Sequence, residues 1–325
     1  MSATTSLRAL TTLAVVLLTS ASAVAQFGSL SGPVFGYVVD SKNGDIHPVK
    51  GILGSATVGE RLDIGVTPSL IVTLGQGQAI AATTDAVELW TLSLDTARIT
   101  RSPIAGLAGN PTRVSVSLQG NAAAFYYSGS NQIQVVTGLP KEPRFSGAFQ
   151  TNATVTQMSV HDDGTLVVYS VTAADEESLY AWTADLGSPR FVATASSVSG
   201  IAITKSGDAV VADRGANKVF AVWSAGSGAV RGLLADENDG VSDPVGVAVS
   251  SAKRIYIANA RSGSVIVLDS SGHYLKSYSC NCSVKGLTPI RESVFRLTER
   301  IDQTTFLLDA TSLEERIVFV PPPLE

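Results

Sequence analysis

Short apolar runs, each cut off by a turn, recur along this chain at a nearly constant spacing. Four of them run into glycine turns at Gly77, Gly120, Gly164 and Gly207, at intervals of 43, 44 and 43 residues, and a fifth turn at Lys253 follows 46 residues later. The unit is plainest over residues 199–235. Gly200-Ile201-Ala202-Ile203-Thr204 reads as a first strand and Ser206-Gly207-Asp208 as a turn, and Ala209-Val210-Val211-Ala212-Asp213 follows as a second strand. Arg214-Gly215-Ala216-Asn217 turns the chain again into Lys218-Val219-Phe220-Ala221-Val222-Trp223, and residues 229–235 supply a fourth strand. Glycine and asparagine suit these turns because tight hairpins need positive φ. A repeat of ~40–45 residues built only from strands and turns predicts an all-β fold, the β-propeller.

Full units are expected at 70–106, at 114–139 with an outer segment, and at 156–194, 199–235, 245–269 with its outer strand, and 285–320. The amino-terminal piece is a fragment. Val34-Phe35-Gly36-Tyr37-Val38-Val39-Asp40 aligns with the third strand at 89–95, and Ile46, Pro48 and Gly51 match Ile99, Pro103 and Gly106. This reads as the outer pair of a seventh, incomplete blade, where an edge strand can spare the N–H that proline lacks. Residues 27–30 are a candidate extra strand. The alternative is six blades with this hairpin over the junction. Either way a ring loses its open edges only if first and last blades join, so Arg316-Ile317-Val318-Phe319-Val320 should lie near the amino-terminal segment, and Pro321-Pro322-Pro323 should end the last strand.

The first 25 residues carry a separate pattern. Arg8 and the amino terminus precede the apolar core at 9–18, and Ala23-Val24-Ala25 is a small-x-small cleavage pattern, so the expected mature chain is a single propeller domain over 26–325 that begins at Gln26 and is exported, periplasmic or extracellular. The apolar core is about half the ~20 residues that a membrane span needs. A net charge of −5 with 16% charged residues lacks the basic footprint of a nucleic-acid binder.

Two units resemble known propeller repeats. Ile255-Tyr256-Ile257-Ala258-Asn259 followed by Ser264-Val265-Ile266-Val267-Leu268-Asp269 resembles the YVTN repeat. Val210-Val211-Ala212-Asp213-Arg214-Gly215-Ala216-Asn217-Lys218-Val219, and the Asp243-Pro244-Val245-Gly246-Val247-Ala248-Val249 opening, resemble the NHL repeat. The resemblance implies a propeller, often an exported interaction protein, with lactonases and quinoprotein-like dehydrogenases among the relatives. Lactonases of propeller type carry acidic metal ligands on their first strands. The first strands here are almost free of carboxylates, and no catalytic pattern carries over.

The residues themselves nominate little chemistry. Cys280 and Cys282 stand one residue apart, and with only His47, His161 and His273 in the chain they fall short of four zinc ligands; a pair of thiols or a small local disulfide is the expectation. Asp236-Glu237-Asn238-Asp239-Gly240, with Asp243 behind it, fails the EF-hand spacing at Val241 and Val247 and reads as a solvated inter-blade loop. Ala174-Asp175-Glu176-Glu177 reads as a hairpin tip. His161 lies where a strand meets its turn and reads as a turn cap rather than a base at the channel mouth. Trp90, Trp182 and Trp223 fall in third strands at comparable positions and read as inter-blade core rather than a sugar-stacking ring. Asn152 and Asn281 fit the short glycosylation pattern. The expectation is therefore a binding or interaction scaffold with no catalytic, cofactor or metal residues, for an unknown protein or small-molecule ligand at one propeller face. A hydrolase or lactonase at the central channel is the alternative.

Overall fold

The computed structural model describes residues 33–40, 42–75, 77–93, 98–173, 176–291, 293–311 and 314–322. The leader at 1–25, the candidate strand at 27–30, Ala174, Asp175 and Pro323 lie outside them. Seven antiparallel sheets follow one another along the chain at 34–58, 70–103, 113–150, 155–195, 198–235, 244–279 and 288–320, taken here as blades 1 to 7 of a ring. Blades 2 to 7 each have four strands, paired in chain order from the inner strand outward, and blade 1 has three. The fold is a seven-blade β-propeller. The six-blade alternative is set aside. Among the described residues no helix is long and apolar enough to cross a membrane.

Successive side chains along a strand point to opposite faces, so every middle strand feeds two inter-blade cores at once. In blade 5, Val219 and Ala221 pack with Val247, Val249 and Ile257 of blade 6, while Phe220 and Val222 pack with Leu166, Val168 and Ala181 of blade 4. This is why the second strands are predominantly apolar, with polar residues such as Asp213, Asn259 and Arg296 at their ends. Inner strands come closest where a side chain is missing: a Cβ on Gly200 would stand 3.0 Å from the backbone N of Val247.

Blade 1 corrects the expected alignment. The strand Val34–Val39 packs on both Leu70–Gly75 and Thr288–Arg291, the inner strands of its neighbours, which also touch each other. It therefore holds the second-strand position, and not the third. Ile46–Lys50 is the next strand out, and Thr57–Val58 forms the edge. Pro48 suggested an edge because it cannot donate to a ladder. It is tolerated one strand further in because Thr57–Val58 pairs only with Val49 and Lys50, and the Pro48 carbonyl accepts from Gly59 N at 2.7 Å.

The ends of the chain meet as expected. Val38, Val49 and Val58 pack with Ile290, Leu307, Val318 and Val320. Val58 N donates to the Pro321 carbonyl at 3.1 Å, and the buried Arg296 donates from Nη1 to the Val39 carbonyl at 2.6 Å. The last strand stops at Val320, directly before the prolines. Among the described residues each end blade is built from one end of the chain alone, so packing and these few hydrogen bonds close the seam.

Candidate functional site

The turns from inner to second strand lie together on one face of the ring. In blades 2 to 5 each carries a glycine in the left-handed region: Gly77 at φ 75°, Gly120 at 75°, Gly164 at 71° and Gly207 at 85°. Blade 6 places Lys253 there, at φ 59°. An L residue adopts that backbone at a cost that glycine does not carry.

The turns of blades 3, 4 and 5 are tied to one another. Gln119 N of blade 3 donates to Asp162 Oδ1 of blade 4 at 2.7 Å. His161, next to it, contacts Asp163 Oδ1 through Nδ1 at 2.8 Å and the Lys205 carbonyl of blade 5 through Nε2 at 3.2 Å. Both partners only accept, so the ring satisfies them together as the doubly protonated imidazolium. Burial alone would lower its pKa. The hydrogen bonds to Asp163 and Lys205, with the carboxylates of Asp163 and Asp162 nearby, outweigh that and hold it above the ordinary 6.5. Asp163 goes the other way: against the effect of burial, His161 and the Thr165 hydroxyl and N–H bring its carboxyl down to about 2. His161 is thus an inter-blade tie with both nitrogens engaged, in keeping with a turn cap.

The sign of its pH dependence follows. An imidazolium whose pKa is higher in the folded chain stabilises fully below 6.5 and loses that contribution as pH rises through the folded value. Asp163 contributes above its ordinary 3.8 and loses its share as pH falls through about 2. Urea midpoints measured at successive pH values should therefore decline above 6.5 in the wild type, and this component of the decline should vanish in His161→Gln. An unchanged profile in the variant would contradict the tie.

The remaining candidates are spread over the fold. His47 is buried in blade 1 with Nδ1 2.9 Å from the Gly59 carbonyl, and His273 sits exposed, 3.2 Å from Asp269 in a hairpin turn. Cys280 and Cys282 form a disulfide in the loop between blades 6 and 7. Asp236–Gly240 is a capped 3-10 turn whose groups serve the loop: Asp236 Oδ1 accepts from Asn238 N, Asp239 Oδ2 accepts from Asp236 N, and Glu237 Oε1 accepts from Asn217. Asp243 pairs with Arg214 at 2.5 Å. Among the described residues no three His, Cys, Asp or Glu groups come together to hold a metal.

The tryptophans part company. Trp90 pairs across the ladder with Ala79, and Trp182 with Val167. The residue that pairs at the same point in blade 5, opposite Ala209, is Val222. Ala79, Val167 and Ala209 each face the preceding blade, and Trp90, Trp182 and Val222 go with them into the core. Trp182 stacks on Phe149 with ring centroids 4.7 Å apart. Trp223 comes one residue later. A one-residue offset turns a strand side chain to the opposite face, so Trp223 faces blade 6 at the strand end and remains 37% exposed. The core expectation therefore holds for Trp90 and Trp182 and fails for Trp223. The alternation Val219, Ala221, Trp223 against Phe220, Val222 is the sequence signal that separates them.

Trp223 forms a wall of a 420 Å³ cavity in the wedge between blades 5 and 6. Its ring lies over Gly232 of the outer strand, where a Cβ would come within 2.1 Å of the ring carbons. Val210, Leu234, Val249 and Ile255 make the apolar interior, and the rim carries Lys205, Asp208, Lys253 and several serines. Asp208 is committed to its turn: Oδ1 accepts from Ser224 N at 2.8 Å and Oδ2 from Ser206 Oγ at 2.7 Å. A second, more open hollow of 570 Å³ lies between blades 4 and 5 and shares Lys205 and Ser206 with the first. Apolar walls with a few convergent polar groups, in a volume of this size, suit a small-molecule ligand.

No protein-family model matches the sequence, and no curated protein matches it. Solved structures do resemble the fold. A streptogramin B lyase superposes with a TM-score of 0.54 at 12% identity, covering 79% of this chain and 84% of that one. Kuenenia stuttgartiensis hydrazine synthase gives 0.53 at 14%, covering 91% and 98%. Saccharomyces cerevisiae Sqt1 gives 0.51 at 12%, covering 90% and 86%. At such identities the likeness establishes the propeller and nothing about its chemistry.

Proposed function

We propose that this chain is an exported propeller that binds a small ligand at the face bearing the inner-to-second-strand turns and releases it unchanged. The observation that carries this reading is the cavity between blades 5 and 6, preformed, apolar within and lined by a tryptophan that breaks the core register. The motifs resembling NHL and YVTN repeats fall in those same two blades, which accords with a binding role. Export rests on the pattern at residues 1–25 and is checked by the amino terminus of the mature chain, expected at Gln26.

Equilibrium dialysis of the purified mature chain against a small-molecule extract, read by mass spectrometry, tests the reading. A compound should be retained in unaltered form by the wild type and lost from Trp223→Ala. Steady consumption of a compound with appearance of its product, or lactone hydrolysis abolished by a chelator, would overturn it in favour of a propeller hydrolase or lactonase.

A further inference from the structure

Resting on that binding reading, we infer the ligand class of the cavity between blades 5 and 6: a small carboxylate with a flat, aromatic body. The flat body follows from the walls. The Trp223 ring covers Gly232 while more than a third of the residue stays exposed, so ring surface remains for stacking, and Val210, Leu234, Val249 and Ile255 enclose an apolar space beside it. The carboxylate follows from the rim. Lys205 and Lys253 are exposed lysines lining the mouth, and neither ammonium has an ion-pair partner among the described residues. The one acidic group there, Asp208, accepts from Ser224 N and Ser206 Oγ and pairs with neither lysine, so the rim keeps a net positive charge. Lys253 carries the second, independent observation. It holds φ 59° at the turn position that is glycine in blades 2 to 5 and Ser293, at the same φ, in blade 7, and of these turn residues it alone brings a charge to the mouth.

Isothermal titration of the mature chain with 2-naphthoate, and with its neutral isostere 2-naphthamide, tests the assignment. The wild type should bind the acid at least tenfold more tightly than the amide, and raised salt should narrow the gap. Lys253→Gly should cost about tenfold in affinity for the acid while leaving the amide unaffected, and its thermal midpoint should rise because glycine takes the positive φ without strain. Lys205→Met should act on the acid in the same direction, and Trp223→Ala should abolish both titrations. Equal affinities for acid and amide, or full acid binding by Lys253→Gly, would overturn the anion assignment; the binding reading would survive if Trp223→Ala still removed both probes. Failure of both probes to bind also overturns the assignment, and the binding reading falls with it only if dialysis retains nothing.

Discussion

Replacing Glu315 by glutamine is expected to cost the folded chain ~3–5 kcal/mol, the loss typical when one partner is taken from a buried ion pair. The Glu315 side chain is fully buried, just ahead of the outer strand of blade 7. Arg254 and Lys276, both of blade 6, pair with its two oxygens. Tyr278 donates to Oε2 at 3.0 Å and Tyr256 reaches Oε1 at 3.4 Å. A neutral amide would leave two cations facing each other without compensation where blades 6 and 7 meet. Urea unfolding of the protein measures the loss. Breaking the exposed Arg300–Asp302 pair by Arg300→Gln is the control, and it should leave the transition where it is. Equal effects of the two changes would show that Glu315 is not a buried tie.

Trp182→Ala should destabilise by about 3–5 kcal/mol, since it removes a large side chain stacked on Phe149 inside the core between blades 3 and 4. The same substitution at Trp223 should cost roughly 1–2 kcal/mol, because more than a third of that side chain already faces water. The two variants should then separate cleanly in function. Trp182→Ala, examined below its lowered melting point, should retain ligand binding, whereas Trp223→Ala should fold and lose it. A Trp223→Ala loss as large as that of Trp182→Ala would place Trp223 back in the core.

The period was readable because each blade must reverse direction at the same place, and positive φ at that place selects glycine. Closure at the seam was readable for a similar reason, as a ring forces its ends together. Blade 1 was misplaced by one strand because proline marks a missing donor, and Pro48 shows that a short outer partner can leave that donor unneeded one strand further in. The Trp223 cavity was overlooked because spacing from the turns treats blades as identical. The inner turn spans Thr204 to Asp208 in blade 5 but His161 to Leu166 in blade 4, and one residue decides which core a side chain enters. Glu315 gave no local sign at all. Its tyrosine partners stand 59 and 37 residues away, and a glutamate following another glutamate reads as surface until the fold buries it.

Fluorine NMR of the protein labelled with 5-fluorotryptophan tests the binding face most directly. Three resonances are expected, assigned by Trp→Phe substitution at residues 90, 182 and 223. Only that of Trp223 should shift between H₂O and D₂O, and only that one should move when 2-naphthoate is added. Three resonances equally insensitive to solvent, or a ligand shift confined to Trp90 or Trp182, would contradict the account.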